Sequence, residues 1–426
     1  MEWFGTLPQH GNWREVRLKR LVSSWAQKRE YEEGETYIGL ENIEPWTGKI
    51  LPGEDGTLTL NTGGESASIG SVFTFGDVLF SKLRPYLAKA ILADRQGICS
   101  TELLVLAPGP YIDGRFLLYC LLTPGFIELV NSSAFGSKMP RAEWDFIGDI
   151  PIPLPPLHQQ QQLAALLDRE TARLDALVAA KQEQLELIAE KRRALITRAF
   201  TQGLDESAPR RATGLPWLGE VPAHWEVVRL KYLAQGPLDY GANEAADEDN
   251  PDFPRFIRIT DIDEDGNLRS DTFASLAPEL AEPYLLSDGD VLLARSGATV
   301  GKTFIYRASM GPACFAGYLI RMHPQLRKVL ADFIYNFSLT DTYWGQIRES
   351  AIQSTIQNFS AEKYGDMVLP LPDLHEQMLI TAYIEAETKK LDTLREITEI
   401  SLGLIHERRA ALIAATVTGK LDLINF

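Results

Sequence analysis

The stretch PLPPLHQQQQLAALLDRETARLDALVAAKQEQLELIAEKRRALI, residues 153–196, decides the fold because it occurs twice in the chain. Its second copy is PLPDLHEQMLITAYIEAETKKLDTLREITEISLGLIHERRAALI, residues 370–413. Extended to residues 153–205 and 370–422, the two copies keep a constant offset of 217 without a gap, and 23 of 53 positions are identical. A repeat of this length indicates that the chain is built from two related halves.

Both copies have the pattern of a long helix. Each begins with a proline-rich segment that cannot be helical, and apolar residues then recur at a spacing of three and four. The pattern lasts for about six heptads, which is typical of a coiled coil. A single helix over residues 158–202 is roughly 67 Å long and needs a partner for its apolar stripe. The stripe consists of Leu163, Leu167, Leu174, Leu177, Ile188 and Leu195, and in the second copy of Ile380, Ile384, Leu391, Leu394, Ile405 and Leu412.

The obvious partner of each helix is the other copy. Two helices related by an internal two-fold axis run antiparallel, and an axis near Lys181 and Thr398 places charged residues of opposite sign across from each other. We therefore predict two ion pairs between the helices, Glu170 with Arg409 and Glu387 with Arg192. The alternative is that each helix packs only on its own neighbouring domain.

The repeat continues upstream with weaker similarity. WREVRLKRL at 13–21 matches WEVVRLKYL at 225–233, and GDVLFSKLRPYLAKA at 76–90 faces GDVLLARSGATVGKT at 289–303. The order is therefore head, helix, head, helix, and both heads mix short β-rich runs with Gly and Pro turns and a few helices. We predict an α+β fold with internal pseudo-two-fold symmetry, in which the heads span residues 1–152 and 206–369 and the helical spacers span 153–205 and 370–426.

The composition is that of an ordinary globular protein. The chain has 426 residues, of which 45% are hydrophobic, so two or more domains are expected. No apolar run is long enough to cross a bilayer, and the N-terminus does not have the pattern of a signal peptide. Three cysteines without metal-ligand spacing indicate reduced thiols in a cytoplasmic protein, with one active-site cysteine as the alternative.

The net charge of −16 argues by itself against a nucleic-acid partner. None of the four segments is basic. The acidic residues nevertheless cluster in stretches typical of solvated loops, at 30–35 and 239–252. Basic residues gather elsewhere, as at Lys82 and Arg84 and at Lys138 and Arg141. A locally positive face is therefore compatible with the acidic chain, and a partner is expected to assist binding.

The catalytic motifs that we searched for do not fit. SGATVGKT at 296–303 resembles a phosphate-binding loop, but only three residues separate Gly297 from Gly301 where four are needed. NPDF at 250–253 resembles the motif of amino-methyltransferases, but no glycine-rich cofactor motif precedes it. His158 and His375 stand at equivalent helix starts, which favours a role in helix entry or in partner contact over metal binding. The sequence therefore predicts a non-catalytic chain without a metal site.

The order head, helix, head, helix and the repeated PLPPLHQQ block resemble the specificity (S) subunit of type I restriction-modification enzymes. LPWLGEVPAHWEVVRLKYL at 215–233 and the GDVLLARSGATVGKT run also resemble that family. The resemblance implies that each head is a target recognition domain that reads one half of a bipartite, asymmetric site in double-stranded DNA. It implies further that the helices set the spacing and bind two methyltransferase (M) subunits, which restriction (R) subunits join. S-adenosylmethionine, ATP and Mg are then expected on the partner subunits and not on this chain.

The residues that touch DNA are predicted from residue type and from loop position. Arg can bind guanine with two hydrogen bonds and Gln or Asn can bind adenine, whereas Lys more often holds phosphate. Two other functions stay open, a DNA-independent coiled-coil adaptor with protein-binding heads and a self-contained modification enzyme. The candidates in the first head are Lys82, Arg84, Ser137, Lys138 and Arg141, and those in the second head are Arg295, Ser296, Lys302, Gln353, Ser354, Thr355, Gln357 and Asn358.

Overall fold

The computed structural model describes residues 3–8, 12–24, 27–32, 34–51, 69–245, 249–263, 266–352 and 358–421. The chain divides into two compact units, and each contains one head and half of each long helix. Unit 1 comprises Met1–Gln182 and Glu399–Phe426, and unit 2 comprises Glu183–Thr398. Within the described residues, no helix has both the length and the apolar character needed to span a membrane.

In its described residues, unit 1 contains two four-stranded sheets and a two-stranded ladder. The ladder pairs β1 with β10 and ties the start of the head to the segment before the long helix; the sheets have the orders β2-β9-β6-β7 and β3-β5-β8-β4. The strands are β1 (Arg14–Arg17), β2 (Val22–Ser23), β3 (Lys28–Glu30), β4 (Tyr37–Ile38), β5 (Ile69–Phe73), β6 (Val78–Ser81), β7 (Ala90–Leu92), β8 (Gly97–Cys99), β9 (Leu103–Pro108) and β10 (Pro151–Leu154). The helices that begin here are α1 (Gly114–Leu121), α2 (Pro124–Ser132), α3 (Trp144–Asp149) and the long α4 (Leu157–Gln202).

Unit 2 repeats part of this plan. Its four-stranded sheet has the order β14-β19-β16-β17, and the two-stranded ladders pair β13 with β20, β15 with β18 and β11 with β12. The strands are β11 (Arg210–Ala212), β12 (Glu220–Pro222), β13 (Glu226–Arg229), β14 (Asp239–Tyr240), β15 (Arg255–Ile257), β16 (Val291–Ala294), β17 (Thr303–Ile305), β18 (Ala313–Phe315), β19 (Leu319–Met322) and β20 (Val368–Leu371). The helices are α5 (Pro278–Ala281), α6 (Ala331–Ser338), α7 (Asp341–Ile352), α8 (Ala361–Asp366) and the long α9 (Leu374–Val417).

The long helices pair antiparallel inside each unit. In unit 1 the beginning of α4, with Leu163 and Leu167, shares a buried cluster with the end of α9, with Ile413 and Val417. The same cluster includes core residues of the first head. The helices therefore pack both on each other and on a head, so the two packing arrangements that the sequence left open occur together.

In unit 2 the opposite ends of the two helices meet: the end of α4 packs on the start of α9. Ile196 and Phe200 near the end of α4 lie in one buried cluster with Ile380 and Ile384 near the start of α9. The core of the second head belongs to the same cluster. Burying these side chains removes apolar surface from water, which is the main term that holds each helix end in place.

The predicted ion pairs between the helices are wrong in register. Arg409 contacts Asp175, and Arg192 contacts Asp392, so each actual carboxylate lies five residues after the predicted one. The predicted partners, Glu170 and Glu387, instead accept hydrogen bonds from neighbours on their own helices, Arg169 and Lys390. The physical reason is that apolar packing of the helix ends sets the register, and the charged side chains then pair with the carboxylates that lie within reach.

The apolar stripe is at least half-buried over most of its length and is exposed at one equivalent position in each helix. Leu163 and Ile380 are fully buried, whereas the equivalent residues Leu177 and Leu394 are 47% and 40% exposed. Leu174, Ile188 and Leu391 are buried as well, so the heptad prediction holds for most of the stripe and fails at Leu177 and Leu394.

Gln160 fixes the start of α4 to the first head. Its side chain is completely buried. Its Oε1 accepts a hydrogen bond from the Asp113 amide at 2.8 Å, and its Nε2 donates to the carbonyl oxygens of Tyr111 and Pro155 at 2.9 and 2.8 Å. A buried amide with both ends paired in this way holds the helix start firmly.

Gln377 makes the equivalent contacts at the start of α9. It accepts from the Leu330 amide at 3.0 Å and donates to the carbonyl oxygens of Lys328 and Pro372, both at 2.9 Å. The sequence contained a signal for this pair, since Gln160 and Gln377 are identical residues in the repeated block. A buried role for a glutamine cannot be read from the pattern alone.

Candidate nucleic-acid interface

Three chain segments meet at the C-terminal end of β6 in the first head. The Lys82 amide donates to the carbonyl oxygen of Glu102 at 3.1 Å, and the Ala142 amide donates to the carbonyl oxygen of Lys82 at 2.9 Å. Leu83 and Arg141 form an antiparallel bridge beside these bonds. We call residues 82–86, 102 and 135–142 the first junction. Two sequence-predicted segments, SKLRPY and GSKMPR, therefore lie together.

In the second head, equivalent backbone contacts form at the C-terminal end of β16. The Arg295 amide donates to the Tyr318 carbonyl oxygen at 3.0 Å, the Phe359 amide donates to the Arg295 carbonyl oxygen at 2.8 Å, and Ser296 bridges to Asn358. We call residues 295–299, 318 and 358–359 the second junction. The backbone bonds match those of the first junction one by one, while the side chains differ.

Two side-chain hydrogen bonds in the first junction join Arg141 to Glu102. Nε of Arg141 donates to Oε2 at 3.1 Å, and Nη2 donates to Oε1 at 2.8 Å. The Arg141 side chain is 47% exposed and that of Glu102 is 23% exposed. Sequence reasoning found Arg141 but missed Glu102, which lies 39 residues away along the chain.

Arg84 occupies the left-handed backbone region, with φ of 48°. Its amide donates to the Pro140 carbonyl oxygen at 2.7 Å, and its own carbonyl oxygen accepts from the Leu87 amide at 3.0 Å. Its Nε is buried and has no hydrogen-bond partner among the described residues. A strained arginine with an unpaired donor is typical of a binding position, because the strain persists only where the surroundings hold it.

The first junction also contains the other predicted residues of this head, Lys82, Ser137 and Lys138. Ser137 and Lys138 are exposed, and Lys82 is half-buried. Three apolar side chains of the junction are also exposed. The exposed apolar side chains are Tyr86 (45%), Phe135 (59%) and Met139 (55%). Exposed rings and cations together suit a surface that meets bases and phosphates.

Arg295 is the central cation of the second junction. Its guanidinium lies over the Tyr240 ring, 4.6 Å from the ring centroid. Its Nε donates to Oδ1 of Asn358 at 3.4 Å, and Nη1 donates to the Gly317 carbonyl oxygen at 3.3 Å. Tyr318 is 65% exposed beside it. Arg295 and Asn358, predicted independently, therefore contact each other, while Tyr240 and Tyr318 were missed.

Lys302 lies beyond the loop that follows β16, and its backbone does not form a phosphate-binding loop. The Lys302 amide donates to the Thr299 carbonyl oxygen at 3.0 Å, and the Gly301 amide donates to the Tyr364 hydroxyl at 3.1 Å. These amides are therefore already used by the protein. Ser296 is half-buried in the junction. Four predicted residues lie outside the described residues: Gln353, Ser354, Thr355 and Gln357.

The cysteines do not provide a reactive thiol. Cys99, Cys120 and Cys314 are all buried and free. Burial raises the pKa of the Cys99 and Cys314 thiols to about 12, and it raises the pKa of Cys120 as well. A catalytic cysteine needs the opposite shift. In the part of the chain that the structure describes, His, Cys, Asp and Glu side chains form no group of three or more that could hold a metal ion.

Comparisons with known proteins point to one family. A family model described as the type I restriction modification DNA specificity domain matches residues 48–187. The MjaVIII specificity subunit of Methanocaldococcus jannaschii is 23% identical over 346 residues, which cover 79% of this chain and 77% of that protein. The EcoDI specificity subunit of Escherichia coli is 26% identical over 164 residues, which cover 38% of this chain and 35% of that protein.

Solved structures show the same fold. One chain from work on the assembly and conformational transition of the type I R-M system has a TM-score of 0.77 at 19% identity, and covers 98% of this chain and 100% of its own length. The HsdS subunit from Thermoanaerobacter tengcongensis has a TM-score of 0.51 at 18% identity, with coverage of 97% and 98%. By the family model and the sequence relatives, the chain is similar to the specificity subunits of type I restriction-modification systems, and it shares their fold.

Proposed function

We propose that this chain selects the DNA target of a type I restriction-modification complex, with each head reading one half of a bipartite, asymmetric site. The observation that carries this proposal is the repeated junction. Its backbone bonds are the same in both heads, whereas the side chains at equivalent places are Glu102 and Arg141 in one and Tyr318 and Asn358 in the other. One frame that presents different donors and acceptors is what reading two different short sequences requires.

The long helices are proposed to hold two copies of one methyltransferase subunit. Support comes from residues that are identical in both repeats and also exposed. Leu187 in unit 2 and Leu404 in unit 1 are equivalent, and they are 57% and 58% exposed. Two equivalent apolar positions on two equivalent helix halves suit two identical partners.

The chemistry is proposed to reside on the partner subunits. S-adenosylmethionine, ATP and Mg are then bound by methyltransferase and restriction subunits, and this chain contributes recognition without catalysis. The net charge of −16 fits this division, because an acidic chain holds DNA better as one part of a larger complex.

Co-purification followed by methylation mapping tests the proposal. We expect the tagged chain to bring down two methyltransferase subunits from its host, and the complex to methylate a single split sequence with a fixed spacer. The same complex assembled without this chain is the control, and it is expected to show no sequence preference.

The acidic charge also favours a second function, a DNA-independent adaptor whose heads bind proteins. That function predicts a complex whose methylation pattern is the same with and without this chain. A bipartite methylated sequence that disappears when the chain is removed excludes the adaptor.

A further inference from the structure

We propose that Glu102 is a positioning residue that holds Arg141 ready to bind a guanine in the first half-site. The proposal rests on the function proposed above and adds to it a specific base, a specific reading residue and the residue that orients it. The carboxylate acts through Arg141 and does not itself touch the base.

The hydrogen bonds to Glu102 leave the other edge of the guanidinium open. Arginine has five N–H donors in a planar fork, and the carboxylate takes one from Nε and one from Nη2. The remaining N–H groups of Nη1 and Nη2 at the outer end are parallel. That pair matches O6 and N7 of guanine, which lie side by side in the major groove.

The backbone on both sides of this contact is fixed. Arg141 and Phe135 exchange two backbone hydrogen bonds, both of 3.0 Å, and the Glu102 carbonyl oxygen accepts from the Lys82 amide at 3.1 Å. The backbone hydrogen bonds hold both residues in place, and the two hydrogen bonds to Glu102 hold the Arg141 side chain. Arg141 therefore has little rotamer freedom to lose when it binds DNA. Preorganisation of this kind increases affinity and sharpens the choice of base.

The second junction does not repeat this arrangement. Tyr318 and Asn358 stand at the places of Glu102 and Arg141, and the guanidinium there comes from Arg295. Nε and Nη1 of Arg295 donate to Asn358 and Gly317, so a different set of its N–H groups is used. The effect of Glu102 is therefore expected in one half-site only.

The test compares Glu102→Gln, Arg141→Ala and Arg141→Lys in the assembled complex with its methyltransferase subunits and S-adenosylmethionine. The substrate is a pool of DNA duplexes randomised across both half-sites, and methylated molecules are sequenced. We expect the preference for guanine at one position of the first half-site to fall on the order of tenfold in Arg141→Ala. Arg141→Lys is expected to lose the same preference, because the lysine ammonium does not have the planar pair of parallel N–H donors that matches O6 and N7 of guanine. Glu102→Gln is expected to weaken the preference for guanine at that same position of the first half-site.

Asp94→Asn is the matched control. Arg95 and Asp94 form a fork of the same geometry in the same head, with Nε to Oδ1 at 2.7 Å and Nη2 to Oδ2 at 2.8 Å. This change removes the same charge as Glu102→Gln but lies outside the junction. We expect it to leave both half-sites unaltered.

Three outcomes overturn the inference. One is a loss of guanine preference in Arg141→Ala with none in Glu102→Gln, which means that Glu102 does not position the arginine. Another is an equal effect of Asp94→Asn, which means that charge alone is responsible. The third is a change in the second half-site that is as large as that in the first. A wild-type complex without sequence preference contradicts the proposed function itself, and is thereby distinguished from all three.

Discussion

Arg409 and Asp175 form an ion pair that joins α9 to α4 in unit 1, and the arginine side chain is only 8% exposed. Asp175 also pairs with Lys49 at 2.8 Å, and Arg409 donates to the Thr47 carbonyl oxygen at 3.0 Å. The helix pair in unit 1 is thereby attached to the 47–49 turn of the first head. The equivalent Arg192 in unit 2 pairs with Asp392 but is 37% exposed.

This difference predicts unequal losses of stability. We expect Arg409→Ala to lower the free energy of unfolding by about 2 kcal/mol, because it leaves the Thr47 carbonyl oxygen without its donor and the partly buried Asp175 carboxylate with one cation, Lys49, in place of two. Arg192→Ala is expected to cost about 0–1 kcal/mol, as for other exposed pairs. Urea unfolding of the two variants measures this, and equal losses refute the role of burial.

Gln160 is expected to be among the more sensitive polar residues of unit 1. Gln160→Ala removes three hydrogen bonds and leaves the Asp113 amide and two carbonyl oxygens unpaired, so we expect a loss of about 2–4 kcal/mol. Gln161→Ala is the control, because its side chain is exposed on the next position of the helix. Thermal unfolding compares the two variants. A melting temperature of Gln160→Ala as high as that of the control contradicts the role of Gln160 in attaching the start of α4 to the first head.

Arg84 allows stability and recognition to be separated. We expect Arg84→Ala and Arg84→Gly both to alter methylation of the first half-site, because both remove the guanidinium. Arg84→Gly is expected to be more stable than Arg84→Ala by about 1 kcal/mol, because glycine adopts a φ of 48° without strain. Methylation of every site at the wild-type level in both variants removes Arg84 from the interface.

Shortening both helices equally is expected to change the spacer and leave both half-sites intact. Deleting residues 177–183 and 394–400 removes one heptad from each helix, roughly 10 Å of helix length, and keeps the apolar stripe in phase. Methylome sequencing reports the result as a shorter spacer between unchanged half-sites. Altered half-sites with the original spacer contradict the idea that the helices set the spacing.

The three thiols are expected to be unreactive in the folded chain at pH 8. Burial raises the pKa of Cys99 and Cys314 to about 12, so the reactive thiolate is scarce well below that pH, and burial also blocks access. A chromogenic disulfide reagent should therefore label none of them until denaturant is added, and then all three. Rapid labelling of one thiol in the native chain contradicts this.

The sequence predicted the features that depend on local pattern. Proline-rich segments followed by apolar residues at helical spacing indicated α4 and α9, and the offset of 217 indicated two similar heads. The predicted contact residues were found by type and loop position, and Arg141, Arg295 and Asn358 do lie in the two junctions. The inferences about the helices and heads succeed because helical periodicity and turn chemistry act over a few residues, whereas DNA contact by the three residues stays a prediction.

The partners of these residues depended on the tertiary structure. Glu102 reaches Arg141 across 39 residues, and Tyr240 reaches Arg295 across 55, so no local pattern connects them. The register that pairs Arg409 with Asp175 also follows from how the helix ends pack into the heads. The repeat of residues 153–196 by itself determined that the chain has two heads and two long helices. The folded chain alone decided which side chains meet, because burial of apolar surface sets the register and charges then pair with whatever lies within reach.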